Sequence, residues 1–153
     1  MTANHTESTP AQPAQLDELV LGSQLSELSR LAPWVEALGD RCGITERVRF
    51  AINLCLEEAV SNVIRHGYAG SAGRLVRVSF SEPRAGYILV EVEDDAPHFD
   101  PLHLPALPRI DEQSAERLGG QGIRLLMGFS DSLEYEATAT GNRLRIGFLN
   151  ETQ

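Results

Sequence analysis

The chain has 153 residues, 42% of them hydrophobic and 23% charged, which is room for one domain with a well-filled core and too little for two. A formal net charge of -9, from 22 acidic against 13 basic residues, argues against direct nucleic-acid binding, and no apolar run is long enough for a membrane span. All 13 basic residues are arginine, so Schiff-base lysines and a P-loop lysine are excluded and any side-chain phosphate clamp has to be Arg.

Residues 1–15 are polar and rich in Thr and Pro, without the basic start and apolar stretch of a secretion signal. They are expected to form a disordered tail on a cytoplasmic protein whose single domain is residues 16–150. Cys42 and Cys55 form no C-x-x-C pair and are expected to be reduced thiols without chemistry. LDELVLGS, residues 16–23, predicts an edge strand. From Gln24 to about Asp40 the positions Leu25, Leu28, Leu31, Val35 and Leu38 recur at helical spacing, with Ser23 the expected N-cap and Pro33 an expected kink. After Gly43, Thr45 is expected to cap a longer helix that runs to about His66 and stops at Gly67.

GRLVRVSFS (73–81) and GYILVEVED (86–94) alternate with period two and predict an antiparallel hairpin joined by EPRA. Residues 95–118 hold four prolines and no periodicity, the mark of a functional or disordered loop. Gly119, Gly120 and Gly122 open a helix to about Phe129, and SLEYEAT with NRLRIGF closes the chain as a strand pair. The order β-α-α-β-β-loop-α-β-β predicts a two-layer α/β sandwich, with a mixed, largely antiparallel sheet and helices on one face.

Three segments carry candidate chemistry. In LEEAVSNVIRHGY, Glu58 and Asn62 stand four residues apart and share a helix face. The amide oxygen can ligate Mg²⁺, while the carboxylate can orient a water or accept a hydroxyl proton; such pairs also occur on solvated helix faces. In VEVEDDAPHFDP a strand ends at Asp94 and Asp95, where a buried carboxylate can accept a hydrogen bond from an exocyclic amine such as that of adenine. In ERLGGQGIRLL, glycines at a helix start allow close approach to phosphate, with Arg117 and Arg124 available for side-chain contacts. His66 is expected to stabilise a helix end, His98 and His103 to lie in a solvated loop, and Trp34 to be a core or interface residue.

Together and in this order the segments resemble the N, G1 and G2 boxes of the ATPase superfamily that includes gyrase, MutL and histidine kinases. Within it the chain is most similar to the bacterial anti-sigma factors that are also serine-protein kinases. The residues that carry the resemblance are Glu58-Ala59-Val60-Ser61-Asn62 with His66-Gly67-Tyr68, Asp94 with Phe99-Asp100-Pro101, Gly119 to Ile123, and the terminal GNRLRI. The resemblance implies ATP and magnesium as cofactors, with Asn62 ligating Mg²⁺ and Glu58 the catalytic base. It also implies that Asp94 reads the adenine amine, that Gly120 and Gly122 hold phosphates with Arg117 nearby, and that residues 100–118 form an ATP lid.

The function that follows from the resemblance is a partner switch. The protein sequesters a sigma factor or another regulatory protein and phosphorylates a small antagonist, an anti-anti-sigma protein, on serine; a homodimer is implied as well. One position departs from the family pattern, because Ala96 stands where glycine usually follows the aspartate by two residues. A strained backbone or a methyl group crowding the nucleotide would weaken ATP binding, so the alternative is a non-catalytic binding module of the same fold. A histidine-kinase catalytic domain is not expected, because no dimerisation helix with a phosphoacceptor histidine precedes residue 16.

Overall fold

The computed structural model describes residues 17–103 and 120–151. The expected tail thus lies outside the described residues. Five strands, β1 (Asp17–Gly22), β2 (Leu75–Arg84), β3 (Tyr87–Asp94), β4 (Ser132–Ala137) and β5 (Asn142–Leu149), form one sheet in the order β1-β2-β3-β5-β4. Every neighbouring pair is antiparallel, so the expected mixed sheet is not seen among the described residues. No described helix is long and apolar enough to cross a membrane.

The period-two alternation sets the two faces. Val76, Val78 and Phe80 on β2, Ile88, Val90 and Val92 on β3, and Leu144, Ile146 and Phe148 on β5 are buried beneath the helices. At about 1.5–3 kcal/mol for each fully buried large apolar side chain, this layer is the main source of stability. On the other face, Arg143 pairs with Glu93 at 2.7 Å and Glu136 at 3.2 Å, and Arg145 with Glu91 at 3.1 Å and Glu136 at 2.9 Å. Glu93 and Glu136 sit opposite Arg143 in register, and Glu91 opposite Arg145, so the bridges tie three strands together across the solvated face.

Helix α2 (Glu46–Asn62) lies over the sheet, burying Val48, Ile52, Cys55, Leu56, Ala59 and Val60. Thr45 caps it as expected, its Oγ1 accepting from Val48 N at 3.4 Å. Helix α1 (Leu31–Cys42) ends at Gly43 with φ 66°, the left-handed stop that glycine adopts without penalty. Its beginning differs from expectation. Residues Leu25–Arg30 form a 3-10 turn, and Pro33 sits in the first turn of α1, where the N–H it lacks has no helical partner to lose, so no interior kink arises. Ser23 does not cap this helix; its hydroxyl donates to Ser71 O at 2.8 Å and accepts from Arg74 N at 3.2 Å, fastening the end of β1 to the loop before β2.

Helix α2 does not continue to His66 as a regular helix. Val63–Gly67 form a π-helical turn, with Tyr68 N donating to Val63 O at 2.7 Å. Such wide turns recur at functional sites. The buried Tyr68 then clasps two strands: its hydroxyl donates to Leu75 O at 2.6 Å and accepts from Asp95 N at 2.9 Å. Trp34 packs half-buried against the core, and His66 is exposed at the helix end.

Helix α3 (Gly120–Phe129) packs beside α2 and buries Leu126. Between β4 and β5 the chain passes so close to the end of β3 that a Cβ on Gly141 would lie 1.9 Å from Asp94 O and 2.7 Å from the Asp95 Cα. Because those atoms are backbone and cannot rotate away, Gly141→Ala is expected to lower the unfolding free energy by about 1–3 kcal/mol. Denaturant titration checks this, and an unchanged midpoint would contradict it.

Candidate functional site

The end of β3 and the start of β5 are paired strand ends, with Asp94 opposite Asn142. Alternation along β3 puts Asp94 on the helix-facing side, so a carboxylate occupies a core position. Few carboxylates are buried without a purpose or a partner. Asp94 is 8% exposed, and burial raises its pKa, opposed by hydrogen bonds from Asn142 and from the Ala96 backbone. Both bonds end on one oxygen: Asn142 Nδ2 and Ala96 N each donate to Asp94 Oδ1 at 2.9 Å. Among the described residues no donor reaches Oδ2.

A cleft, partly open to solvent, lies between the end of α2, the sheet and α3. Its walls include Asn62, Asp94, Phe99, Leu126, Tyr135 and Asn142. Asn62 is the last residue of α2, its side chain makes no capping bond to the π-turn, and it faces the same space as Asp94. Mg²⁺ commonly takes only one or two protein oxygens and keeps waters and substrate phosphates for the rest, so a free amide here fits that ion. No group of three His, Cys, Asp or Glu side chains that could cage a metal occurs among the described residues.

Glu58 is half-buried one helical turn before Asn62, and it is not one of the residues on the cleft wall. Gly120 and Gly122 are in the first turn of α3, the helix whose Leu126 does reach the wall. Arg117 and residues 104–119, most of the expected lid, lie outside the described residues. Arg124 is exposed on α3, and Asp100 Oδ1 accepts from Leu102 N at 2.8 Å at the start of a short 3-10 turn, Pro101–His103. His98 meets Thr138 O through Nε2 at 2.9 Å.

Ala96 is 2% exposed and does not adopt positive φ, so the expected backbone strain is absent. Its methyl group abuts Gly67, where an added Cβ would come within 3.1 Å of it. The methyl is therefore part of the packing behind the cleft. Tyr135 and Asn142 were not singled out by the sequence. The GNRLRI segment marked the strand, but not that its Asn side chain would meet the carboxylate ending β3.

Residues 21–148 match the family described as the histidine kinase-like ATPase domain. A cleft between the sheet and the helix bearing Glu58 and Asn62, closed at one end by a buried Asp, is thus seated in a chain that belongs to the histidine kinase-like ATPase domain family. Among curated relatives, the chain is 23% identical over 133 residues to the serine/threonine-protein kinase BtrW of Bordetella bronchiseptica, covering 87% of this chain and 93% of that protein. It is 26% identical over 110 residues to the anti-sigma F factor of Thermoanaerobacter sp. (strain X514), covering 72% and 68%. Within the family it resembles the anti-sigma factor and serine-protein kinase members.

The fold also matches part of the structure of the RsbU and RsbW domains of Rv1364c from Mycobacterium tuberculosis, at a TM-score of 0.60 and 14% identity, over 90% of this chain and 32% of that one. The histidine kinase domain of the Erythrobacter litoralis EL346 blue-light activated histidine kinase matches at a TM-score of 0.50 and 21% identity, over 82% and 60%.

Proposed function

We propose that the protein is an ATP-dependent serine-protein kinase and anti-sigma-type regulator. It holds a sigma factor or comparable regulatory protein and phosphorylates a small antagonist protein on serine, in the cytoplasm and as a homodimer. The observation that carries this reading is the meeting of Asn62 and Asp94 in one cleft, with Glu58 one turn away on the same helix. The names of the two relatives support the choice of partner class.

In this reading Asp94 accepts the adenine amine through Oδ2, and Asn62 holds the magnesium that accompanies the phosphates. Magnesium supplies charge neutralisation on the phosphoryl oxygens. Backbone N–H groups at the start of α3, at Gly120 and Gly122, favour the phosphate charge, and Arg117 adds a side-chain contact. The serine oxygen bonds to the γ-phosphorus, the bond from that phosphorus to the bridging oxygen of ADP breaks, and Glu58 accepts the hydroxyl proton. The alternative of a binding module without catalysis drew on strain or crowding at Ala96. Its ordinary φ removes the strain argument, and Glu58 with Asn62 on one helix supports the catalytic reading.

Asn62→Ala is expected to weaken ATP binding about tenfold or more when Mg²⁺ is present and little in EDTA. Calorimetric titration in the two buffers separates the cases, since equal losses would mean that Asn62 is not a metal ligand. The function itself is tested by affinity capture from cells of the source, followed by incubation of the captured proteins with Mg-ATP and mapping of phosphosites. A captured protein that gains phosphoserine only with the active chain is the expected result; capture without transfer would favour the non-catalytic module.

A further inference from the structure

We infer that Glu27 and Arg30 form a plug on the open edge of the sheet, which keeps a second copy of this chain from adding its own β1 there. Strand β1 is an edge: β2 pairs along one side of it, and no other described strand lies along the other. An antiparallel ladder directs the N–H and C=O of alternate residues at the partner strand and turns those of the residues between outward. On β1, Val20 O accepts from Arg30 Nη1 at 3.0 Å and Gly22 N donates to Glu27 Oε1 at 2.9 Å. These bonds to side chains rather than to β2 identify Glu18, Val20 and Gly22 as the outward set.

The two side chains reproduce what an added strand would offer. A strand docking at this edge presents an N–H to Val20 O and a C=O to Gly22 N; the guanidinium supplies the first and the carboxylate the second. The pair is also held together, with Arg30 Nη1 standing 3.3 Å from Glu27 Oε1. Both residues belong to the 3-10 turn Leu25–Arg30 that follows β1 after two residues, so plug and edge are built from one short stretch of sequence. Gly22 gives the carboxylate room, since a Cβ there would lie 3.1 Å from Glu27 Oε1.

The occupant that this edge fits is β1 of a second copy. Antiparallel pairing about a two-fold axis through Val20 sets Val20 opposite Val20, Leu19 opposite Leu21, Glu18 opposite Gly22 and Asp17 opposite Ser23. Apolar side chains then meet apolar ones and no acid faces an acid, so the charges of β1 do not oppose this register. Val20, 39% exposed, is the apolar surface it would cover. An open edge that matches itself is an association site unless something blocks it. With the plug in place, Val20 O and Gly22 N are already bonded, and an incoming strand has to displace both side chains. A homodimer of the kind proposed above then forms through another face, and the plug stops it from growing further by sheet-to-sheet pairing.

None of the groups involved lines the cleft, so the test is independent of the ATP reading. Sedimentation of the full chain over a wide range of concentration reads the mass, with circular dichroism as the check on folding. The double variant Glu27→Ala with Arg30→Ala is expected to form assemblies larger than those of wild type as concentration rises. Glu27→Gln keeps an acceptor oxygen for Gly22 N and should behave as wild type. Val20→Lys added to the double variant sets like charges opposite across the two-fold axis and should return it to the wild-type mass. At low concentration, where no second strand protects it, the Gly22 amide should exchange with solvent about tenfold faster in Glu27→Ala than in wild type. A folded double variant that keeps the wild-type mass at every concentration overturns the proposal, as does a larger assembly that Val20→Lys leaves intact. So does a wild-type Gly22 amide that exchanges as fast as an unprotected one, whatever the variants do.

Discussion

Glu58→Gln is expected to slow phosphoryl transfer by about 100- to 10,000-fold while Mg-ATP binding changes little. Glutamine keeps the length and hydrogen-bonding reach of the side chain but cannot take up a proton. The small effect on binding follows from placement: Glu58 is one turn from Asn62 but is not on the cleft wall where Asp94 and Asn62 meet. The helix should survive the change, since the local contact at this residue, Ser61 Oγ donating to Glu58 O at 3.1 Å, uses the backbone carbonyl. Single-turnover transfer to the captured antagonist at saturating ATP measures the effect. A variant that transfers at the wild-type rate would remove Glu58 from the mechanism.

Asp94→Asn should separate binding from stability. Because Oδ1 already receives two N–H donors, the asparagine must keep its oxygen there and turn its NH₂ toward the cleft. The amine of the base then meets a donor where it needed a charged acceptor, and ATP affinity is expected to fall about 10- to 100-fold or more. The folded protein loses nothing comparable. Burial raises the pKa of Asp94, so the charged form is disfavoured in the fold, and this cost is fully present above the raised pKa and is relieved as pH falls through it. The neutral asparagine removes that cost, and the variant should unfold at neutral pH at the same or a higher temperature than wild type. A variant that loses ATP binding only in proportion to lost folded protein would show Asp94 to be structural.

How much of this was legible in the sequence depends on how local each feature is. Thr45, the apolar spacing of α2 and the alternation in β2 and β3 are local signals, and the corresponding elements formed, although α2 gave way to a π-turn after Asn62 and β2 ran on to Arg84 through three residues of the expected EPRA link. Glu58, Asn62 and Asp94 could be singled out for the same reason, since each sits in a short motif with its own chemistry. Asn142 could not, because its partners come from the end of β3, the segment after it and β4, up to 48 residues away. Ser23 failed as a cap because Ser71 and Arg74, about 50 positions on, offered its hydroxyl better partners. The π-turn after Asn62 and the burial of the Ala96 methyl against Gly67 likewise depend on tertiary packing that periodicity does not encode.

Titration of the full chain with ATP in the presence and absence of Mg²⁺, alongside Asp94→Asn, tests the central claim most directly, because it asks whether the cleft between α2 and the sheet is a nucleotide site at all. The account predicts saturable binding of one ATP per chain at or below millimolar ATP, tighter with Mg²⁺ and largely lost in the folded Asp94→Asn variant. Absence of binding at millimolar Mg-ATP, or binding that the variant retains in full, would contradict it.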